Sequence, residues 1–263
     1  MRVALLLLLT LVTACRRPTG RVTSSPGNVP EPTPTEIADY SRYVRQGVGF
    51  LALGNEPFWS LTIQPDRQLA FRTPTDSLIV PVLAERRSRT GGRTYDAKTE
   101  LGELHMQIEP VRFTDSMSGK VFENTVDVQV KRAAEAVKTY KGGGTDLNQL
   151  LLLNDSWVLT SLQGEVIKPA AAQTMLPQLE IQLNNGRVIG TDGCNSLSGQ
   201  VRADNRYVAF SQVRSTRMAC PGNGDTQARF LTALQKPFAY RVDTGTLTLS
   251  CDGQPIMTFK RTH

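Results

Sequence analysis

Leu179-Glu180-Ile181-Gln182-Leu183, then Asn184-Asn185-Gly186, then Arg187-Val188-Ile189 is the stretch that decides the fold. Its first five residues alternate apolar and polar, the period of a strand with one buried face. Asn185-Gly186 is a strong hairpin signal, because a tight two-residue turn needs residues that tolerate positive φ. The stretch therefore reads as two antiparallel strands joined by a two-residue turn. Downstream the same grammar repeats at 207–210, 246–251 and 256–260, the last two around Asp252-Gly253. Between Asp225 and Lys236, Phe230, Leu231 and Leu234 recur at helical spacing, predicting one amphipathic helix. Asp225 or Asn223 would cap it and Pro237 would end it. No βαβ alternation appears, which argues against a doubly wound nucleotide-binding fold.

Upstream, Phe58-Trp59-Ser60-Leu61-Thr62-Ile63 and Leu69-Ala70-Phe71 flank a Pro65-Asp66 turn. The apolar run 77–83 contains Pro81, which favours a sheet edge or strand end. Thr125-Val126-Asp127-Val128-Gln129-Val130 places three valines on one face. Residues 132–140 are expected as a short helix, and Lys141-Gly142-Gly143-Gly144-Thr145-Asp146 as a linker. The predicted fold class is mainly antiparallel β (α+β), two small β-rich domains at 47–140 and 156–263. Residues 141–155 would link them, and the helix would pack on the second sheet.

The N-terminus carries an address. Arg2 is a short positive region, and 3–12 is a Leu-rich run too short to span a bilayer. Val12-Thr13-Ala14-Cys15 then resembles the lipobox of bacterial lipoproteins. The resemblance implies a signal peptide at 1–14, removed to leave a lipidated Cys15, with an ordinary secretory peptide as the other reading. Residues 15–46 then form the lipidated Cys15 and a tether, Pro/Thr/Ser-rich and disordered to about 35, with 36–46 as the stretch where order can begin. Arg16, where an Asp would signal inner-membrane retention, favours the outer membrane with the domains facing the periplasm. The 263 residues carry a formal charge of +6, spread thinly. The densest group, Arg86, Arg87, Arg89 and Arg93, reads as a solvated hairpin loop, with an anionic headgroup or acidic wall polymer as its functional reading. No basic motif interleaved with aromatics points to nucleic acid.

Gly190-Thr191-Asp192-Gly193-Cys194-Asn195, Gly199, and Ser215-Thr216-Arg217-Met218-Ala219-Cys220 follow the Trp157 strand and Gly164 in order. This series resembles the META domain, the family of the HslJ heat-shock lipoprotein, over about 156–261. The resemblance implies a small antiparallel β fold with one helix. It also implies a part in envelope heat-shock response and novobiocin resistance, with no established enzymatic activity. In an oxidising compartment Cys194 and Cys220 are expected as a disulfide rather than two thiols. Cys251 shares a face with Leu247 and Leu249, and a buried inert thiol is expected. Asn195, Ser215, Thr216 and Arg217 either line a binding surface or satisfy backbone groups in tight turns; turns are the plainer reading.

Gly54-Asn55-Glu56-Pro57-Phe58-Trp59 and Asp115-Ser116-Met117-Ser118-Gly119 resemble an uncharacterised envelope lipoprotein family, sometimes grouped with periplasmic lysozyme inhibitors. Relatives there often carry a cysteine before each motif, which this chain lacks. Both Phe58 and Trp59 are expected in the core. The only histidines are His105 and His263, and His105 lies opposite Leu104, Met106 and Ile108, toward solvent. No nucleophile motif, zinc motif or phosphate loop appears, so neither an enzyme, a cofactor nor a metal is expected. The expectation is a non-enzymatic envelope lipoprotein with a membrane partner through its anchor. A periplasmic protein, lipid or cell-wall ligand is the further partner, and an inhibitor or binding protein the rival reading.

Overall fold

The alternating runs are strands, and they build two large antiparallel sheets. The computed structural model describes residues 32–33, 36–65, 68–81, 85–132, 135–169, 175–219 and 224–262. The signal peptide 1–14, Cys15, nearly all of 16–35, Cys220 and Asn223 lie outside these residues.

The first sheet uses β1 (Phe50–Asn55), β2 (Phe58–Gln64), β3 (Gln68–Arg72), β4 (Ser77–Pro81), β5 (Arg86–Arg87), β6 (Arg93–Thr99) and β7 (Gly102–Glu109). A separate small hairpin, β8 (Phe113–Thr114) and β9 (Val121–Phe122), precedes β10 (Asn124–Lys131) and β11 (Lys138–Asp146). The order is β4-β3-β2-β1-β11-β10-β7-β6-β5. The two edge strands follow each other in sequence. Five peptide steps reach at most about 17 Å, so the sheet must curl until its edges approach, and β4 does lie against β6. Pro81 ends the edge strand β4, where its missing N–H costs no ladder bond. Inside the curl sit Trp59, Phe71, Leu78, Met106, Val126 and Val128. Strand alternation that turns Trp59, Leu61 and Ile63 inward turns Phe58 outward, 55 % exposed, contrary to the expected burial of both aromatics.

Two expectations fail at β11. Residues 138–140 are strand rather than helix, with Thr139 and Tyr140 paired to Gln129 and Val128. The glycine run is not a linker but the middle of a central strand. Its backbone is approached from both sides, which is why it lacks side chains. A Cβ on Gly143 would lie 2.3 Å from the Phe122 ring, and one on Gly144 2.4 Å from Phe50. Glycine here marks close packing, not chain flexibility.

The remainder of the expected linker is also structured. Leu147 N–H donates to Gly49 O (2.8 Å), and α2 (Asn148–Leu153) buries Leu150 and Leu153. Trp157 Nε1 donates to Leu153 O (3.0 Å), and Gln149 Oε1 accepts from Val242 N (2.9 Å). The expected tether is likewise too long at 46, since Ile37, Tyr40, Tyr43 and Val44 are buried around α1 (Ser41–Arg45). Tyr40, Tyr43, Val44 and Leu51 join one apolar core with Leu150, Leu153 and Trp157. Residues 31–263 therefore form a single compact unit. Leu-rich 147–153 is drawn in because its side chains have two sheets to pack against.

The second sheet comprises β12 (Ser156–Leu162), β13 (Glu165–Val166), β14 (Gln178–Gln182), β15 (Arg187–Thr191), β16 (Ser196–Ala203), β17 (Tyr207–Ser215), β18 (Phe238–Asp243), β19 (Thr246–Cys251) and β20 (Gln254–Arg261). Its first and last long strands, β12 and β20, also pair, which closes a barrel. The predicted helix is α3 (Gly224–Ala233), and Phe230, Ala233 and Leu234 are buried in that core. At 183–186 the turn is four residues, not two, because Leu183 leaves the ladder and donates its N–H to Asn154 Oδ1 (2.7 Å). Asp252 (φ 50°) and Gly253 (φ 74°) do form a two-residue turn. Cys251 ends β19 beside a register shift at Leu249/Ser250, and its side chain is half-buried rather than buried.

Candidate functional site

The expected site residues gather where β15 passes to β16 and β17 ends. Gly190 is required by close approach: a Cβ there would lie 2.0 Å from Gln178 O across the ladder. The strand can thus press against β14 before the chain turns at 192–195. Asp192, 2 % exposed, organises that turn. Its Oδ1 accepts from the backbone N–H of Cys194 (3.0 Å) and Asn195 (2.7 Å), and its Oδ2 accepts from Ser215 Oγ (3.1 Å). One carboxylate therefore closes its own loop and ties it to the end of a distant strand.

Asn195 repeats the device. Its buried Oδ1 accepts from Thr216 Oγ1 (2.9 Å) and from Met218 N (2.7 Å). Thr216 Oγ1 in turn accepts from Ser196 N (3.2 Å), and Thr191 Oγ1 from Gly193 N (3.0 Å). Asn195, Ser215 and Thr216 are thus brought together, with their side chains engaged in pinning loops. Arg217 is exposed, with no side-chain hydrogen bond or ion pair among the described residues. Cys194 is disulfide-bonded. Its expected partner, Cys220, lies outside the described residues.

Sequence reading passed over Asp192, the residue on which this cluster hangs. Part of the signal was present: Asp192 before Gly193 is an Asx-turn pattern, though its tie to Ser215 is not local. Beside the cluster a shallow groove of about 350 Å³ runs over Gln178, Glu180, Ile189 and Ser196.

A related loop stands on the first sheet. Asp115 accepts from Ser118 N and Ser118 Oγ (both 2.7 Å), and both its oxygens accept from Asn55 Nδ2 (2.7 and 2.8 Å). Hydrogen bonds from Ser118, then Asn55, hold its carboxyl below the usual range. The loop base is fixed and Met117 at its tip is 69 % exposed. Trp59, from the neighbouring motif, is buried and donates Nε1–H to Lys141 O (3.3 Å). His105 lies on the outer face as expected, with Nδ1 2.6 Å from Asp96 Oδ1.

The family model for the META domain matches residues 148–263. A protein solved by NMR is 21% identical over 41% of this chain and 89% of its own, with a TM-score of 0.33. Another NMR structure, of a protein from Burkholderia xenovorans, is 24% identical over 42% of this chain and 85% of its own, with a TM-score of 0.35. No curated protein matches the chain.

Proposed function

Taking residues 148–263 as a META domain, we propose that this chain is a non-enzymatic lipoprotein of the bacterial envelope. Lipid on Cys15 would anchor it, in the outer membrane, with both sheets facing the periplasm. There it contributes to tolerance of heat and antibiotic stress as a binding or structural part. The observation behind the non-enzymatic reading is the hydrogen bonding of the motif. Asp192, Asn195, Ser215 and Thr216 direct their polar atoms at one another and at loop backbone. A catalytic set would instead aim a nucleophile and base at open space.

Two measurements test this. Intact mass of the membrane-extracted chain should show a mature species beginning at acylated Cys15. A strain lacking the chain should lose tolerance to heat or novobiocin. Arg217→Ala should restore that tolerance and Cys15→Ser should not. An unacylated mass, or a deletion strain with unchanged tolerance, overturns the proposal. The rival reading, an inhibitor or binder, has one observation in its favour: Met117 projects from a loop whose base is hydrogen-bonded at Asp115. Loss of lysozyme inhibition on Met117→Asp would establish it.

A further inference from the structure

The outer face of the first sheet around His105 is a polar grid over a cavity of about 340 Å³, near the lower end of the range that small-molecule sites occupy. Register sets the grid. Asp96, His105 and Gln129 stand in one row across β6, β7 and β10, and Lys98, Glu103 and Lys131 in the next. Neighbouring strands lie about 4.8 Å apart and same-face residues about 7 Å apart along a strand. The floor therefore measures about 10 by 7 Å, the footprint of one or two sugar rings. Val137, exposed, supplies an apolar wall beside it.

The charges nearly cancel, and the remainder is informative. Asp96 pairs with Arg86 and with His105, and Glu103 with Lys98 (2.5 Å). Lys131 makes no close ion pair among the described residues; it stands opposite Glu103, which Lys98 already pairs, so with Arg86 set against Asp96 from beyond the floor one positive charge remains at Lys131. Gln129 likewise has no side-chain hydrogen bond among the described residues. Asp96 takes the Nδ1 side of His105, so Nε2 is left to a ligand. With Nδ1–H on Asp96, a neutral imidazole accepts a hydrogen bond from a hydroxyl at Nε2, and an imidazolium donates one there.

From this geometry we infer that the grid binds a saccharide bearing one carboxylate. Lys131 takes the carboxylate by a charge-assisted hydrogen bond. The Gln129 amide, His105 Nε2 and the spare lone pairs of Asp96 and Glu103 mix donors and acceptors at spacings that suit hydroxyls, which do both. The apolar wall suits a sugar C–H face. The ligand class follows from the site alone, so its failure would leave the envelope proposal untouched.

The test is an NMR titration of the full chain in detergent with N-acetylmuramic acid. N-acetylglucosamine serves as the sugar lacking the carboxylate, and lactate as the carboxylate lacking the sugar. Saturable shifts at the amides of 96, 105, 129 and 131 are expected, with N-acetylmuramic acid at least tenfold tighter than either control. Lys131→Gln should bring it to the level of N-acetylglucosamine, and Gln129→Ala should weaken both sugars. Absence of saturable shifts at these residues overturns the inference. Equal binding of N-acetylglucosamine removes the carboxylate, and equal binding of lactate removes the saccharide.

Discussion

The loops at Asp115 and Asp192 use one local device to opposite ends. Each carboxylate accepts the N–H three residues on, from Ser118 or from Asn195, and each is also held by a side chain far along the chain, Asn55 or Ser215. In the first sheet the bonds fix only the base of a projecting loop, and Met117 stands in solvent. In the barrel they continue into Asn195, Thr216 and a disulfide at Cys194, and hold the ends of three strands together. What separates the two is the number of independent ties to the surrounding sheet, not the turn.

That difference predicts unequal consequences. Asp192→Ala removes the acceptor of the buried Asn195 N–H and the half-buried Cys194 N–H, and leaves Ser215 Oγ only its bond to Thr216 O; each unsatisfied buried group costs about 1–3 kcal/mol. A loss of about 2–3 kcal/mol is therefore expected in urea unfolding followed by tryptophan fluorescence. Asp192→Asn keeps an acceptor for both N–H groups and should recover roughly half of it. An Asp192→Ala loss below about 1 kcal/mol would mean that the disulfide alone holds the loop.

Reduction is the matching experiment. Opening the disulfide at Cys194 restores chain entropy to the unfolded state, worth about 3 kcal/mol for a loop of a few tens of residues. If the hydrogen bonds and the disulfide restrain the same motion, the reduced Asp192→Ala chain should lose less than the sum of the two single effects. Strict additivity would show two independent restraints.

Most of the strand pattern was legible because it rests on side-chain period, visible at 126–130, 179–183 and 246–251. What misled was residue type read without its surroundings. Gly142-Gly143-Gly144 has the composition of a flexible connector, but Phe50 and Phe122 occupy the space of the missing side chains. The Leu-rich α2 was hidden behind that misreading, although Leu147, Leu150 and Leu153 are fully apolar and buried. Barrel closure by β12 and β20 joins residues about a hundred positions apart, and no local signal encodes it. At the candidate site, Asn195, Ser215 and Thr216 were legible from type and motif. Asp192 was passed over because its role depends on Ser215, which only the fold brings near.

The Asp115 loop should respond locally. Asp115→Ala is expected to raise the amide exchange of Ser118 and Gly119 while leaving the unfolding midpoint nearly unchanged. Acid should do the same. A carboxyl depressed in the folded state stabilises fully above its unfolded value of about 3.9. That contribution disappears as pH falls through the lower folded value. As pH falls below the unfolded value the Ser118 amide should therefore lose protection before the barrel amides do. Simultaneous loss would mean that the loop is coupled to the whole fold, and the contrast with Asp192 would fail.

Asp204 supplies the sharpest control, because its local turn matches that of Asp192 but its remote tie, Tyr240 Oη donating to its backbone O (2.8 Å), bypasses the carboxylate. Its Oδ1 accepts from Arg206 N and Tyr207 N (both 2.8 Å), the same two- and three-residue spacing. No distant side chain donates to its carboxylate among the described residues, and burial raises that carboxyl from its ordinary value. A raised folded value means that the stabilising contribution is present below the unfolded value and lost as pH rises through the folded one. At neutral pH the charge is therefore a cost. Asp204→Asn keeps both turn bonds through its amide oxygen and removes that cost. Stability at pH 7 should be unchanged or higher by up to about 1 kcal/mol, set against the large loss at Asp192. If Asp204→Asn instead destabilises by as much as Asp192→Ala, the turn alone would be decisive and the remote ties incidental.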